Sequence, residues 1–191
     1  MSKTALLLLD LQQGILERFG DDMADYLSCV SKTINAARAA GISIIYIRTC
    51  FRPGHPEISS RNLSIARIAS LGDFVEGDES VGISPSIAPL ERDMVVSKRR
   101  VSAFSGSDLD VVLRGLTVDS PVLAGVATSG AVFSTVRQAA DLDFSLTVLG
   151  DLCLDLDAEV HRVLVEKVFP RQARILGAEQ WIQGLSSSSK E

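Results

Sequence analysis

Short, nearly unbroken apolar runs alternate along this chain with longer segments of helical period, and the alternation leaves few architectures open. The runs lie at residues 5–9, 42–47, 94–96, 121–126 and 146–149, with a weaker one at 173–176. The first reads Ala-Leu-Leu-Leu-Leu, and a strand apolar at every position has to be buried on both faces, as strands of a parallel sheet are. Between the runs, residues 25–40 place Leu27, Val30, Ile34 and Ala37 on one helical face, and Gly41 supplies a stop. Residues 107–116 align Leu109, Val112, Leu113 and Leu116 behind Ser107 as N-cap. Residues 130–140 carry Val132, Val136, Ala139 and Ala140, and residues 157–168 carry Val160, Val163, Leu164 and Val168 behind Asp157. Short strands alternating with such helices are βαβ units. Right-handed crossovers then place helices on both faces of a six-stranded, mainly parallel sheet, an α/β fold.

One interval breaks the pattern. Residues 51–93 are rich in Gly, Pro and Ser, with a short helix expected at 65–71. Structureless loops longer than roughly 12–15 residues are uncommon in compact domains and are usually functional or disordered. The interval reads either as a lid over a site or as a surface excursion or subunit contact. Residues 186–191 are polar and of low complexity, so they are expected to be a disordered tail behind a single domain spanning 1–185.

Composition narrows the function. A chain of 191 residues suits one domain and can bury about 70% of its unfolded surface without a staple. Cys29, Cys50 and Cys153 lie far apart with no C-x-x-C pair, and His55 and His161 form no H-E-x-x-H motif. Neither a disulfide framework nor a zinc site is expected, and no metal or cofactor is assigned. A net charge of −5, with Lys and Arg spread along the chain, argues against nucleic acid or an anionic membrane as partner. The run at 5–9 is shorter than a signal-peptide core, and no run reaches the roughly 18 residues of a membrane span. The expectation is a cytoplasmic protein acting on a small molecule.

In an open parallel sheet, ligands bind beyond the carboxyl ends of the strands, where strand order reverses. That rule selects Asp10 and Gln12 after the first strand, Cys50, Phe51 and Arg52 after the second, and Lys98 after the third. It also selects residues 127–131 after the fourth strand and residues 151–153 after the fifth. The turn at 127–131 opens a helix, whose free N–H groups favour an anion or a developing oxyanion. Phe51 can stack on a substrate, Arg52 offers a bidentate fork to a carboxylate, and Phe104 is expected to pack near the site. Each candidate also has a plainer reading. An Asp ending a strand is often a turn former, the run Lys98-Arg99-Arg100 could be a solvated face, and Arg52 could pair with Glu57 at the surface. Arg137 reads as a salt-bridging helix residue, His161 as exposed and Cys29 as core. No G-x-G-x-x-G follows a strand, and no Gly-Lys-Ser/Thr follows Gly125 or Gly130, so nucleotide-loop chemistry has no support.

Three segments occur in order: Thr4-Ala5-Leu6-Leu7-Leu8-Leu9-Asp10-Leu11-Gln12, then Val95-Val96-Ser97-Lys98 followed by Ser102-Ala103-Phe104-Ser105-Gly106-Ser107-Asp108-Leu109, and Leu123-Ala124-Gly125-Val126-Ala127-Thr128-Ser129-Gly130-Ala131-Val132-Phe133-Ser134-Thr135-Val136-Arg137. Together they make the chain resemble the isochorismatase-like hydrolases, also called cysteine hydrolases, from about residue 4 to residue 181. The resemblance implies a Rossmann-like three-layer α/β/α fold with strand order 3-2-1-4-5-6. It implies a catalytic Asp10 and Lys98, a cis peptide between Val126 and Ala127, and a homodimer or homotetramer. Alongside the residue reading, it makes Gln12, Phe51, Arg52, Phe104, Val126, Ala127 and Gly130 the expected substrate contacts.

The resemblance also exposes a departure. Amidases of that family carry a nucleophilic Cys at the position that Ala131 holds here, and a methyl group cannot attack a carbonyl. Three accounts stand open: a natural branch that needs no Cys, an amidase carrying a Cys-to-Ala change, or a non-catalytic protein that binds a small molecule. Ser129-Gly130 also differs from the Asn-Val or Asp-Val pair common before the Cys, which favours the natural branch. Isochorismatases proper are such a branch and cleave a vinyl ether with the Asp as general acid. That role sets up a conflict, because a nearby Lys98 lowers the pKa of Asp10 whereas a general acid needs a raised one.

Overall fold

The computed structural model describes residues 3–20, 23–70 and 74–188. Six strands form one sheet: β1 (Thr4–Leu9), β2 (Ser43–Thr49), β3 (Met94–Lys98), β4 (Ser120–Val126), β5 (Leu146–Leu154) and β6 (Ala173–Leu176). Their order is β3-β2-β1-β4-β5-β6, and every neighbouring pair is parallel. The helices are α1 (Gln13–Leu16), α2 (Ala24–Ala39), α3 (Leu63–Ala69), α4 (Leu109–Gly115), α5 (Phe133–Asp141), α6 (Ala158–Val163) and α7 (Ala178–Ser188).

The all-apolar β1 follows from its central place. Successive side chains point to opposite faces of a sheet, and both faces are covered here. Ala5, Leu7 and Leu9 pack with Ile45, Ile47, Leu109, Leu113, Val132 and Val136, on the side of α4 and α5. Leu6 and Leu8 pack with Ile44, Tyr46, Val30, Ile34, Ala37 and Trp181, on the side of α2 and α7. Three layers result.

The described residues of the 51–93 interval are more ordered than its composition predicts. Phe51 forms an isolated bridge to Val75. Cys50, Phe51, Ile65, Phe74 and Val81 make a small core of their own, with Ile15, Ile58, Ile68 and Val101 packed against it. The helix expected at 65–71 is α3, capped by Asn62, whose side chain accepts from Ile65 N; its expected last residue, Leu71, lies outside the described residues. At the C-terminus the expected tail fails for residues 186–188, which continue α7. Residues 189–191 lie outside the described residues. Among the described residues no helix is long and apolar enough to cross a membrane.

Candidate active site

Register brings the site together. Leu9 pairs with both Ile47 and Gly125, and Thr49 pairs with Lys98, so β1 to β4 end side by side. Strand order reverses at β1, the place where such sheets hold ligands. The approach of β4 to β1 demands Gly125, which has φ +131°. A Cβ there would sit 2.1 Å from Leu9 O, which no side chain could survive. Asp10 leaves β1 in the left-handed region at φ +53°, which Asp tolerates better than most residues.

Asp10 and Lys98 form a buried ion pair, with Lys98 Nζ 2.9 Å from Asp10 Oδ2. Thr49, at the end of β2, ties them together: Lys98 Nζ donates to Thr49 Oγ1 at 2.8 Å, and that hydroxyl donates to Asp10 Oδ1 at 3.3 Å. Lys98 Nζ also donates to Arg100 O at 3.2 Å. Burial raises the Asp10 pKa and outweighs the lowering by the Lys98 charge, the Lys98 hydrogen bond and the Thr49 bonds, so the carboxyl lies above its usual range. The sequence-level conflict between Asp10 and Lys98 therefore resolves in favour of a carboxyl that holds its proton more tightly than usual.

A cavity of about 120 Å³ opens above the pair. Asp10, Lys98, Val126, Ala127, Gly130 and Ala131 all line it, so six of the residues selected from the sequence converge. The peptide between Val126 and Ala127 is cis. Beyond it, Thr128–Val132 forms a π-helical turn into α5. Two contacts fasten this turn to the segment around α6: Ser129 N donates to Asp155 Oδ2 at 2.6 Å, and Thr128 Oγ1 lies 2.8 Å from His161 Nδ1. His161 is thus half-buried and engaged, not exposed as expected.

Other expected contacts lie elsewhere. Gln12 is fully buried and clamps the Thr49 backbone, accepting from Thr49 N at 2.7 Å and donating to Thr49 O at 2.9 Å. It does not line the cavity, because the edge of β2 uses both ends of its amide. Phe51 is buried in the small core of the 51–93 segment. Arg52 pairs with Glu57 at 2.6 Å in a separate open depression shared with Arg99 and Arg100. Phe104 packs against the core near Phe144, ring centroids 5.8 Å apart. Arg137 bonds Gln172 at 2.7 Å and not a carboxylate, and Cys29 is exposed and not core.

Thiols offer no substitute nucleophile within the cavity. Cys50 and Cys153 are buried and absent from its lining, and burial pushes the Cys153 thiol up to about 12. Among the described residues no three His, Cys, Asp or Glu side chains gather as a metal-ligand set. The residues missed from sequence are Thr49, Arg18 and the apolar wall of Ile15, Phe19, Ile68, Phe74, Val101 and Leu156. Extending the second strand by two residues would have placed Thr49 opposite Lys98. No local signal marked Arg18, which lies in a single 3₁₀ turn after α1.

The isochorismatase domain matches residues 4–180. The chain belongs to the isochorismatase family. An isochorismatase family protein of Escherichia coli O157:H7, the uncharacterised YecD, is 28% identical over 186 residues, covering 95% of this chain and 96% of that protein. The family relative ureidoacrylate amidohydrolase RutB of Stutzerimonas stutzeri is 28% identical over 207 residues, covering 97% of this chain and 80% of its own length. In fold, a cysteine hydrolase from Pseudomonas syringae pv. phaseolicola 1448A superimposes with a TM-score of 0.88 at 24% identity, covering 97% of this chain and 93% of that one. The isochorismatase-family sheet order expected from sequence is the one observed.

Proposed function

We propose that this isochorismatase-family hydrolase acts on a small anionic molecule without a cysteine nucleophile, using Asp10 as general acid. The reading rests on one observation: a carboxyl whose pKa burial raises despite an adjacent ammonium, facing a cavity in which position 131 offers only a methyl group. Ala131 stands, in this reading, where thiol-dependent relatives carry their Cys. The chemistry that fits is hydrolysis of an enol ether. Asp10 transfers its proton to the terminal carbon of the double bond, and the ether oxygen supplies the electron pair that leaves an oxocarbenium ion. Water adds to the cationic carbon and returns a proton to Asp10. The hemiketal then collapses to a ketone and an alcohol. Lys98 keeps the aspartate formed midway in place.

A panel of small enol ethers, followed by NMR, tests this. Turnover should fall by about 10²–10⁴-fold in Asp10→Asn, and kcat/KM should decline as pH rises through the raised pKa of Asp10, because the acid form is the reactive one. Turnover that survives Asp10→Asn overturns the mechanism.

The amidohydrolase relative favours a second reading, an amidase lacking its thiol. Ammonia release from small amides by Ala131→Cys, with the unaltered chain inert toward every enol ether, would establish it in place of the first.

A further inference from the structure

Among the described residues, one cation lining the cavity has no ion-pair partner. Lys98 lines it, but an ammonium has three protons, and those of Lys98 go to Asp10, Thr49 and Arg100 O. Its charge is matched by Asp10, and it has no donor left for a ligand. Arg52, the fork expected from sequence, is held by Glu57 outside the cavity. Arg18 remains: it lines the same cavity, is solvent-exposed and makes no ion pair with any described residue. Apart from the floor and the turn at 127–131, the lining is apolar, with Ile15, Phe19, Phe74 and Leu156 prominent.

We propose that Arg18 is the specificity-determining residue of this cavity, selecting a molecule with an apolar body and a single anionic end. Three chemistries are discriminated by that arrangement. A neutral polar molecule gains nothing from the guanidinium. A molecule charged at both ends must strip water from its second charge against apolar side chains that return no hydrogen bond. A molecule with one carboxylate places it on the planar fork, which binds such groups bidentately, while its body covers the apolar wall. The inference rests on the hydrolase reading for its catalytic meaning; it concerns which substrate that site admits.

Calorimetric titration of the unaltered chain with benzoate, benzamide and acetate tests the proposal without requiring turnover. Benzoate and benzamide share a shape and differ in charge, whereas acetate keeps the charge and loses the body. Benzoate should bind about tenfold more tightly than benzamide, and acetate should bind at least about tenfold more weakly than benzoate. Arg18→Gln, a change at an exposed side chain, should erase the benzoate advantage and leave benzamide unchanged. A preference that persists in Arg18→Gln overturns the proposal, as does acetate binding as tightly as benzoate or benzoate gaining nothing over benzamide. Inertness toward every enol ether would sink the enol-ether mechanism while leaving these ratios intact. Loss of the ratios with Asp10-dependent turnover preserved would sink the role of Arg18 alone.

Discussion

Lys98 is about as buried as a lysine can be, 1% exposed, and its ammonium is tolerated there because Asp10 balances its charge and oxygens receive all its protons. Breaking a buried pair by removing one member usually costs about 3–5 kcal/mol, since the survivor keeps an unpaired charge. Asp10 can escape that cost by taking up a proton. Below the ordinary carboxylate range both folded and unfolded chains are protonated at Asp10, and the stability contributed by the neutral acid is fully present. As pH rises, the unfolded chain ionises first, so the folded form loses that stability until pH passes the raised pKa. Replacing Lys98 by Met removes the attraction that lowers this pKa, which carries the window further upward. The prediction is a loss that grows with pH: small in acid and about 3 kcal/mol near neutrality, measured by urea unfolding at both ends. Equal losses at the two ends would show that the ion pair is not the source.

α7 shows what patterning can and cannot reveal. Ala178, Trp181, Ile182 and Leu185 recur at i, i+3, i+4 and i+7, and Trp181 is buried against the α2 face of the sheet. Trp181→Ala should cost about 3–5 kcal/mol, seen as a lower urea midpoint. A change below about 1 kcal/mol would mean that α7 does not need this anchor. The apolar spacing is present in the sequence, but the run of serines after Leu185 gives the same segment the composition of a polar tail. The strands were legible for the opposite reason: burial on both faces leaves no polar positions to confuse. α5 and the turn that opens it were placed within a few residues, but not the π-helical form of that turn, which Asp155 and His161 fasten from another element. The site divides in the same way. Asp10, Lys98 and Ala131 follow from strand ends and a family pattern. The role of Gln12 depended on the edge of β2, and Arg18 depended on where a short turn lands, neither of which is encoded locally.

Across the whole molecule, the Asp10–Lys98 pair and the single tryptophan lie on different parts of one sheet. Trp181 packs in the α2–α7 layer, while Asp10 and Lys98 sit at the strand ends. Cooperative unfolding would make tryptophan fluorescence and far-ultraviolet circular dichroism trace the same urea transition. Separated midpoints would show the α2–α7 layer melting by itself. The meeting of β1, β2, β3 and β4 at their ends has a further consequence for a chain being made on a ribosome. Asp10 emerges early and Lys98 much later, whereas the turn at the cavity ends at residue 132 and Leu156 of the cavity wall follows later still. No amino-terminal fragment ending before that turn can carry the complete lining of the cavity.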